Sequence, residues 1–155
     1  MADSKIEEKL EAMGLRLPAA FKYPAPNRTG CVQVGSLLFT SGHPPPEELG
    51  AVMRGKVDAE VSEEDATETA KLVALNILAS VKAEIGSLDR IKRVVKVMGM
   101  INSSPGFQRQ FAVVDGASNL FLELFGKPHA RSAVGMAELP RGFPMEIEAI
   151  FEIEE

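Results

Sequence analysis

The stretch 145–154 constrains the fold most. Met145, Ile147, Ala149, Phe151 and Ile153 alternate with Glu146, Glu148, Glu152 and Glu154. A period of two is the mark of a strand, whose successive side chains point to opposite faces. One face here is apolar and the other acidic, which suits a sheet covered on one side. Two helices offer the cover. Ser62 caps the first, Glu63, Glu64 and Asp65 favour its positive end, and Ala66, Ala70, Val73, Ile77, Val81 and Ile85 form an apolar stripe that stops at Gly86. The second is expected over 107–125, with Phe111, Val114, Ser118, Phe121, Leu122 and Phe125 as its inner stripe. Gly116 lies within it and weakens it by up to ~1 kcal/mol relative to alanine.

The remaining elements fit between these. Val32 and Val34, the turn Gly35-Ser36, and Leu37, Leu38 and Phe39 read as a β-hairpin, and the run Pro44-Pro45-Pro46 opens a surface loop or short ribbon over 44–56. Residues 91–101, rich in Val, Met and Ile, read as a long strand, and 132–139 as another. A short helix is expected over 4–13, followed by a proline-rich connector, so the chain divides into an N-terminal helix and connector (1–26) and one domain (27–155). The order ββαβαββ gives an α+β fold, a mixed sheet with two helices on one face. The opposite face is left open and partly apolar, which favours closure by other copies of the chain.

Composition narrows the function. The 155 residues suit one domain. A net charge of -5 and scattered bases argue against nucleic acid as a partner. No apolar run is long enough to span a membrane, and the start of the chain lacks a secretory signal. The single cysteine, Cys31, is expected to be a packing residue, and a cytoplasmic location follows by default. His43 and His129 are expected in loops. Neither has a neighbour at ligand spacing, so no metal or cofactor is expected.

The segment 131–148 carries the most specific pattern. Arg131, Ala133, Val134, Leu139-Pro140 and Glu146-Ile147-Glu148, with Thr40-Ser41-Gly42 upstream, resemble the late and early signatures of the Rid family, the YjgF-like reactive-intermediate imine deaminases, also called the endoribonuclease L-PSP family. The resemblance covers roughly residues 30–153 and implies a chorismate-mutase-like fold, a homotrimer, and sites in clefts between subunits. It implies hydrolysis of small enamines or imines, such as 2-aminoacrylate, to 2-keto acids and ammonia. In that reading Arg131 binds the substrate carboxylate, the Ala133 backbone contacts substrate, Glu146 or Glu148 positions water, and Ser41 lines the cleft as a second catalytic candidate whose hydroxyl bonds the substrate or a water. The family's usual site tyrosine falls on Arg28, and its usual asparagine on Asp115. Arg28 could pair with Asp115 across a subunit boundary or join Arg131 around a more anionic ligand. The alternative is a trimeric module that binds a small carboxylate with little chemistry. Ribonuclease activity is disfavoured by the charge and by the lack of paired histidines.

Overall fold

The sheet has five strands in the order β1-β2-β5-β3-β4. A computed structural model describes residues 4–155. Its main elements are α1 (Lys5–Ala12), β1 (Cys31–Val34), β2 (Leu37–Thr40), α2 (Glu63–Ile85), β3 (Ile91–Asn102), α3 (Gln110–Phe125), β4 (Ala130–Met136) and β5 (Met145–Ile153). All neighbouring strands run antiparallel except β3 and β4, which are parallel and joined by the crossover helix α3. The fold is α+β and chorismate-mutase-like.

β5 behaves as its alternation requires. Met145, Ile147, Ala149, Phe151 and Ile153 are all buried beneath the helices, while Glu146, Glu148, Ile150 and Glu152 occupy the other face. α2 starts where its cap predicts, with Ser62 Oγ accepting from Asp65 N at 3.1 Å. Its predicted stripe is buried throughout, and Thr69, Leu75, Asn76, Leu78 and Ser80 are buried as well. α1 contributes Ile6 and Leu10 to the same core, and its first amides, Lys5 N and Ile6 N, donate to the Asp89 carboxylate. The carboxylate thereby satisfies two of the free donors at a helix start.

Three expectations need correction, and a fourth, the long strand β3, is met with two irregularities added. α3 begins at Gln110, and its inner face is Val113, Val114, Ala117, Ser118, Leu120, Phe121 and Leu124. Phe111 and Leu122 are exposed instead, because α3 must meet both the sheet and α2, which rotates the buried face away from them. β3 is interrupted by two register shifts against β5, between Ile91 and Arg93 and between Val94 and Lys96. Each adds a residue, so Ile91, Val94 and Val97 all reach the core despite their spacing of three. Pro44, Pro45 and Pro46 are buried rather than on the surface, with the Pro44 carbonyl accepting from Asn76 Nδ2 at 2.9 Å. β4 ends at Met136, earlier than 139.

On the sheet's uncovered face Val32 and Phe39 stand opposite each other, as do Val34 and Leu37. Val32, Val34 and Phe39 are all exposed. No helix among the described residues is long and apolar enough to cross a membrane.

Candidate functional site

Two clusters of polar groups form, at separate places. The first surrounds Arg131 on β4, the edge strand. Arg131 Nη1 donates to Asp115 Oδ1 at 2.6 Å and to Ser118 Oγ at 3.2 Å, and Nη2 donates to the Phe111 carbonyl at 3.2 Å. All three partners lie on α3, so the guanidinium lies on the helix-covered side of the sheet. Among the described residues, three of its five N–H donors are thus engaged, leaving Nε and one hydrogen of Nη2, enough for a two-point carboxylate contact. His129 adds to the cluster from the loop between α3 and β4, as expected, but it is half-buried rather than on the surface, and its Nε2 stands 2.9 Å from Ser118 Oγ. Burial lowers its pKa, with the Arg131 charge adding to the effect. Ala133 sits beside Gly99 in the β3–β4 register and packs on the core.

The second cluster lines a cleft of about 640 Å³ that includes Tyr23, Arg28, Gly42, Arg54, Arg141 and Glu146. Glu146 lies at the cleft wall on β5, while Glu148 is exposed and lies outside it. A Cβ built on Gly42 would stand 3.6 Å from Glu146 Oε1, so the glycine leaves the space beside this carboxylate open. Burial raises the Glu146 pKa above that of an exposed glutamate, and Glu148 two residues on raises it further.

Tyr23 enters the cleft although sequence spacing puts the expected tyrosine position on Arg28. Its hydroxyl donates to the Gly42 carbonyl at 2.9 Å, and its ring meets Phe21 edge-on at 4.8 Å. Burial pushes its pKa up to about 12, so it is a neutral donor. The connector has no periodicity that would reveal this, and only its aromatic pair, Phe21 and Tyr23, hints at an anchored segment.

Ser41 does not line the cleft itself. Its hydroxyl donates to the Thr29 carbonyl at 2.5 Å and its amide to the Gly30 carbonyl at 2.9 Å, which tethers the segment carrying Arg28. His43 follows the end of β2, outside the named strands as expected, but it is fully buried and its backbone bridges to Ile147. Its Nδ1 lies 2.7 Å from the Ser41 carbonyl, which can only accept, so Nδ1 carries the proton and Nε2 accepts from Ser80 Oγ at 2.7 Å. Burial lowers its pKa to about 4, although the Ser41 carbonyl bond favours the charged form. The neutral ring therefore stabilises the fold fully above pH 6.5. That stability is lost as pH falls from 6.5 towards 4, to a total of about 3 kcal/mol. Urea midpoints are expected to fall more steeply between pH 7 and pH 4.5 in the wild type than in His43→Gln. Parallel curves would refute this role.

Arg131 and Glu146 do not meet within one chain. Arg131 is level with Val97 and Glu146 with Met100, so their Cα atoms are about 14 Å apart across two strand spacings and three residues. They also lie on opposite sides of the sheet. Asp115 is engaged by Arg131 of its own chain, while Arg28 Nη1 donates, among the described residues, only to its neighbour Asn27 Oδ1, at 3.0 Å.

A mixed sheet with two covering helices, an edge-strand arginine and a glutamate-lined cleft define a chorismate-mutase-like protein of the YjgF type. The chain belongs to that family: residues 7–140 match the family described as "YjgF/chorismate mutase-like, putative endoribonuclease". Protein TCP17 of Trypanosoma cruzi is 38% identical over 156 residues, spanning 99% of this chain and 97% of that protein. The structure of Atu1372 from Agrobacterium tumefaciens, a protein of unknown function, is similar with a TM-score of 0.86 and 41% identity over 96% of this chain and 94% of that one. RidA from an Antarctic Psychrobacter is similar with a TM-score of 0.60 and 28% identity over 86% of this chain and 94% of that one. The chain is a divergent member of the Rid/L-PSP group.

Proposed function

We propose that the protein hydrolyses small imines or enamines carrying a carboxylate to 2-keto acids and ammonia, in a site completed by two copies of the chain. The observation that carries this reading is Glu146: a half-buried carboxylate of raised pKa, opening into a cleft beside Gly42. A carboxyl group poised nearer neutrality can both accept and return a proton. The division of Arg131 and Glu146 between an edge strand and a distant cleft favours a second copy as the source of the arginine. The exposed Val32, Val34 and Phe39 offer apolar surface for a homotrimer.

In this mechanism the two free donors of Arg131 hold the substrate carboxylate. Glu146 takes a proton from water as its oxygen bonds to the imine carbon. The resulting carbinolamine receives that proton on nitrogen from Glu146. Because the imine enters protonated, this gives the ammonium form of the carbinolamine; the C–N bond then breaks, ammonia leaves with the electron pair, and the hydroxyl passes its proton to the Glu146 carboxylate as the keto group forms. One water is consumed per imine. Tyr23 and Ser41 act as positioning residues: Tyr23 holds the Gly42 peptide, and Ser41 holds the strand that leads to Arg28. The Ala133 backbone, on the exposed edge strand, is offered as a further substrate contact.

The test is keto-acid release from enzymatically generated 2-aminoacrylate or 2-iminobutyrate. Wild type is expected to exceed the buffer rate, and Glu146→Gln to lose about a hundredfold in kcat, since the amide cannot shuttle the proton. No acceleration by a folded wild type would refute the deaminase reading. Binding of 2-oxobutyrate without turnover would then leave the carboxylate-binding module.

A further inference from the structure

The cleft beside Glu146 holds more positive charge than one carboxylate needs. Arg28, Arg54 and Arg141 come to it from three separate segments, and Lys22 also lines it. Among the described residues, none of the three arginines is paired with a carboxylate; Arg28 reaches only the Asn27 side chain. The acids at the rim do not cancel this charge. Glu48 is taken by Arg16 Nη1 at 3.1 Å and by Ala19 N at 3.2 Å, which leaves Glu47 and the catalytic candidate Glu146.

Arg141 is held there against its backbone preference. Its φ is +56°, in the left-handed region that a side chain bearing Cβ adopts only at a cost in free energy. Gly142 follows at φ +70°, and the turn is fixed by Gly142 N donating to the Leu139 carbonyl at 3.1 Å and Phe143 N to the Pro140 carbonyl at 3.1 Å. The Gly142 carbonyl in turn accepts from Gly55 N at 2.9 Å, and a Cβ built on Gly142 would lie 4.0 Å from Arg54 Cγ. The backbone segments that carry these two exposed cationic side chains are thereby tethered to each other. Like charges placed together repel unless an anion joins them, and the guanidinium fork matches a carboxylate.

We infer that the cleft selects substrates with a second carboxylate, on the side chain: imines or enamines derived from acidic amino acids. Arg54 and Arg141 receive the distal carboxylate and Arg28 reinforces them, while Arg131 of the neighbouring copy takes the carboxylate next to the imine carbon. The imine chemistry rests on the deaminase reading above; the preference for a dianion rests on the arginines.

Rates above buffer for 2-iminoglutarate and 2-iminobutyrate, each generated by an amino-acid oxidase, test the inference. The ratio of kcat/KM values is expected to favour the dicarboxylate about tenfold or more in wild type. Arg54→Gln and Arg141→Gly should each lower that ratio about tenfold. Glycine adopts φ +56° freely, so Arg141→Gly should melt no lower than wild type, which separates lost recognition from lost folding. Calorimetric titration with 2-oxoglutarate and 2-oxobutyrate gives an independent reading. If neither imine is turned over, the deaminase reading fails. Tighter 2-oxoglutarate binding that Arg54→Gln and Arg141→Gly abolish would still support the charge preference. Equal rates for the two imines, equal affinities for the two keto acids, or a preference that survives the double variant would overturn the inference.

Discussion

Gly116→Ala is expected to destabilise the protein by about 3 kcal/mol and to lower its melting temperature by about 10 °C. Helix propensity alone predicts the opposite, a gain of up to ~1 kcal/mol at this mid-helix position. The close approach of α2 and α3 decides the sign. A Cβ on Gly116 would stand 2.0 Å from the Thr67 carbonyl oxygen and 2.9 Å from its carbon. Both are backbone atoms of α2, so no side-chain rotation relieves the clash, and the helices would have to separate. α3 has little freedom to move, because Val114 sits on the strand position left bare by Gly99, where a Cβ would lie 2.4 Å from Val114 Cγ2. Lifting α3 from α2 would therefore disturb its seat on β3 as well. Thermal melts followed by circular dichroism, with urea midpoints as a second readout, would test this. A variant that melts at or above the wild-type temperature would show that the two helices can move apart at little cost.

This case shows where the sequence is informative. α2 and β5 announce themselves because cap, stripe and alternation are local signals: Ser62, the Ala66–Ile85 stripe and the Met145–Ile153 alternation each fix an element from its own residues. The face of α3 is not local. Phe111 and Leu122 have the right spacing for an inner stripe, yet α3 must satisfy two neighbours at once, and the small residues Gly116 and Gly99 set its contacts. β3 hides its bulges for the same reason, since the register with β5 cannot be read from β3 alone.

The candidate site follows the same logic. Arg131 and Glu146 stand out through the family resemblance, but their separation within one chain comes from strand order, which spacing does not reveal. The pairing of Arg131 with Asp115 joins residues 16 apart through the fold of α3 against β4. Tyr23 comes to the cleft from a connector with no secondary structure, through a hydrogen bond to Gly42 and an aromatic contact with Phe21. Arg54 and Arg141 belong to no pattern at all; a backbone hydrogen bond from Gly55 to Gly142 joins the two segments that bring them to the cleft.

Arg131→Ala is expected to lower kcat/KM for imine hydrolysis about a thousandfold. Two charge-assisted hydrogen bonds to a carboxylate contribute about 4 kcal/mol together, and each 1.4 kcal/mol is a factor of ten. Most of the loss should appear in KM, because the carboxylate is held equally in the bound substrate and in the transition state. Folding is not the cause: the Asp115 side chain is 46% exposed, so losing its partner returns it to water at a cost of about 1 kcal/mol or less. Arg131→Lys is the sharper variant. It keeps the positive charge but replaces the planar fork with a point charge, so it should restore only a small part of the activity. Asp115→Asn keeps an acceptor for Nη1 and should cost far less than either change. If Arg131→Lys is as active as wild type, charge alone suffices and the fork has no role. If Arg131→Ala retains full activity, the carboxylate is anchored elsewhere, and the arginines of the cleft around Glu146 become the anchor instead.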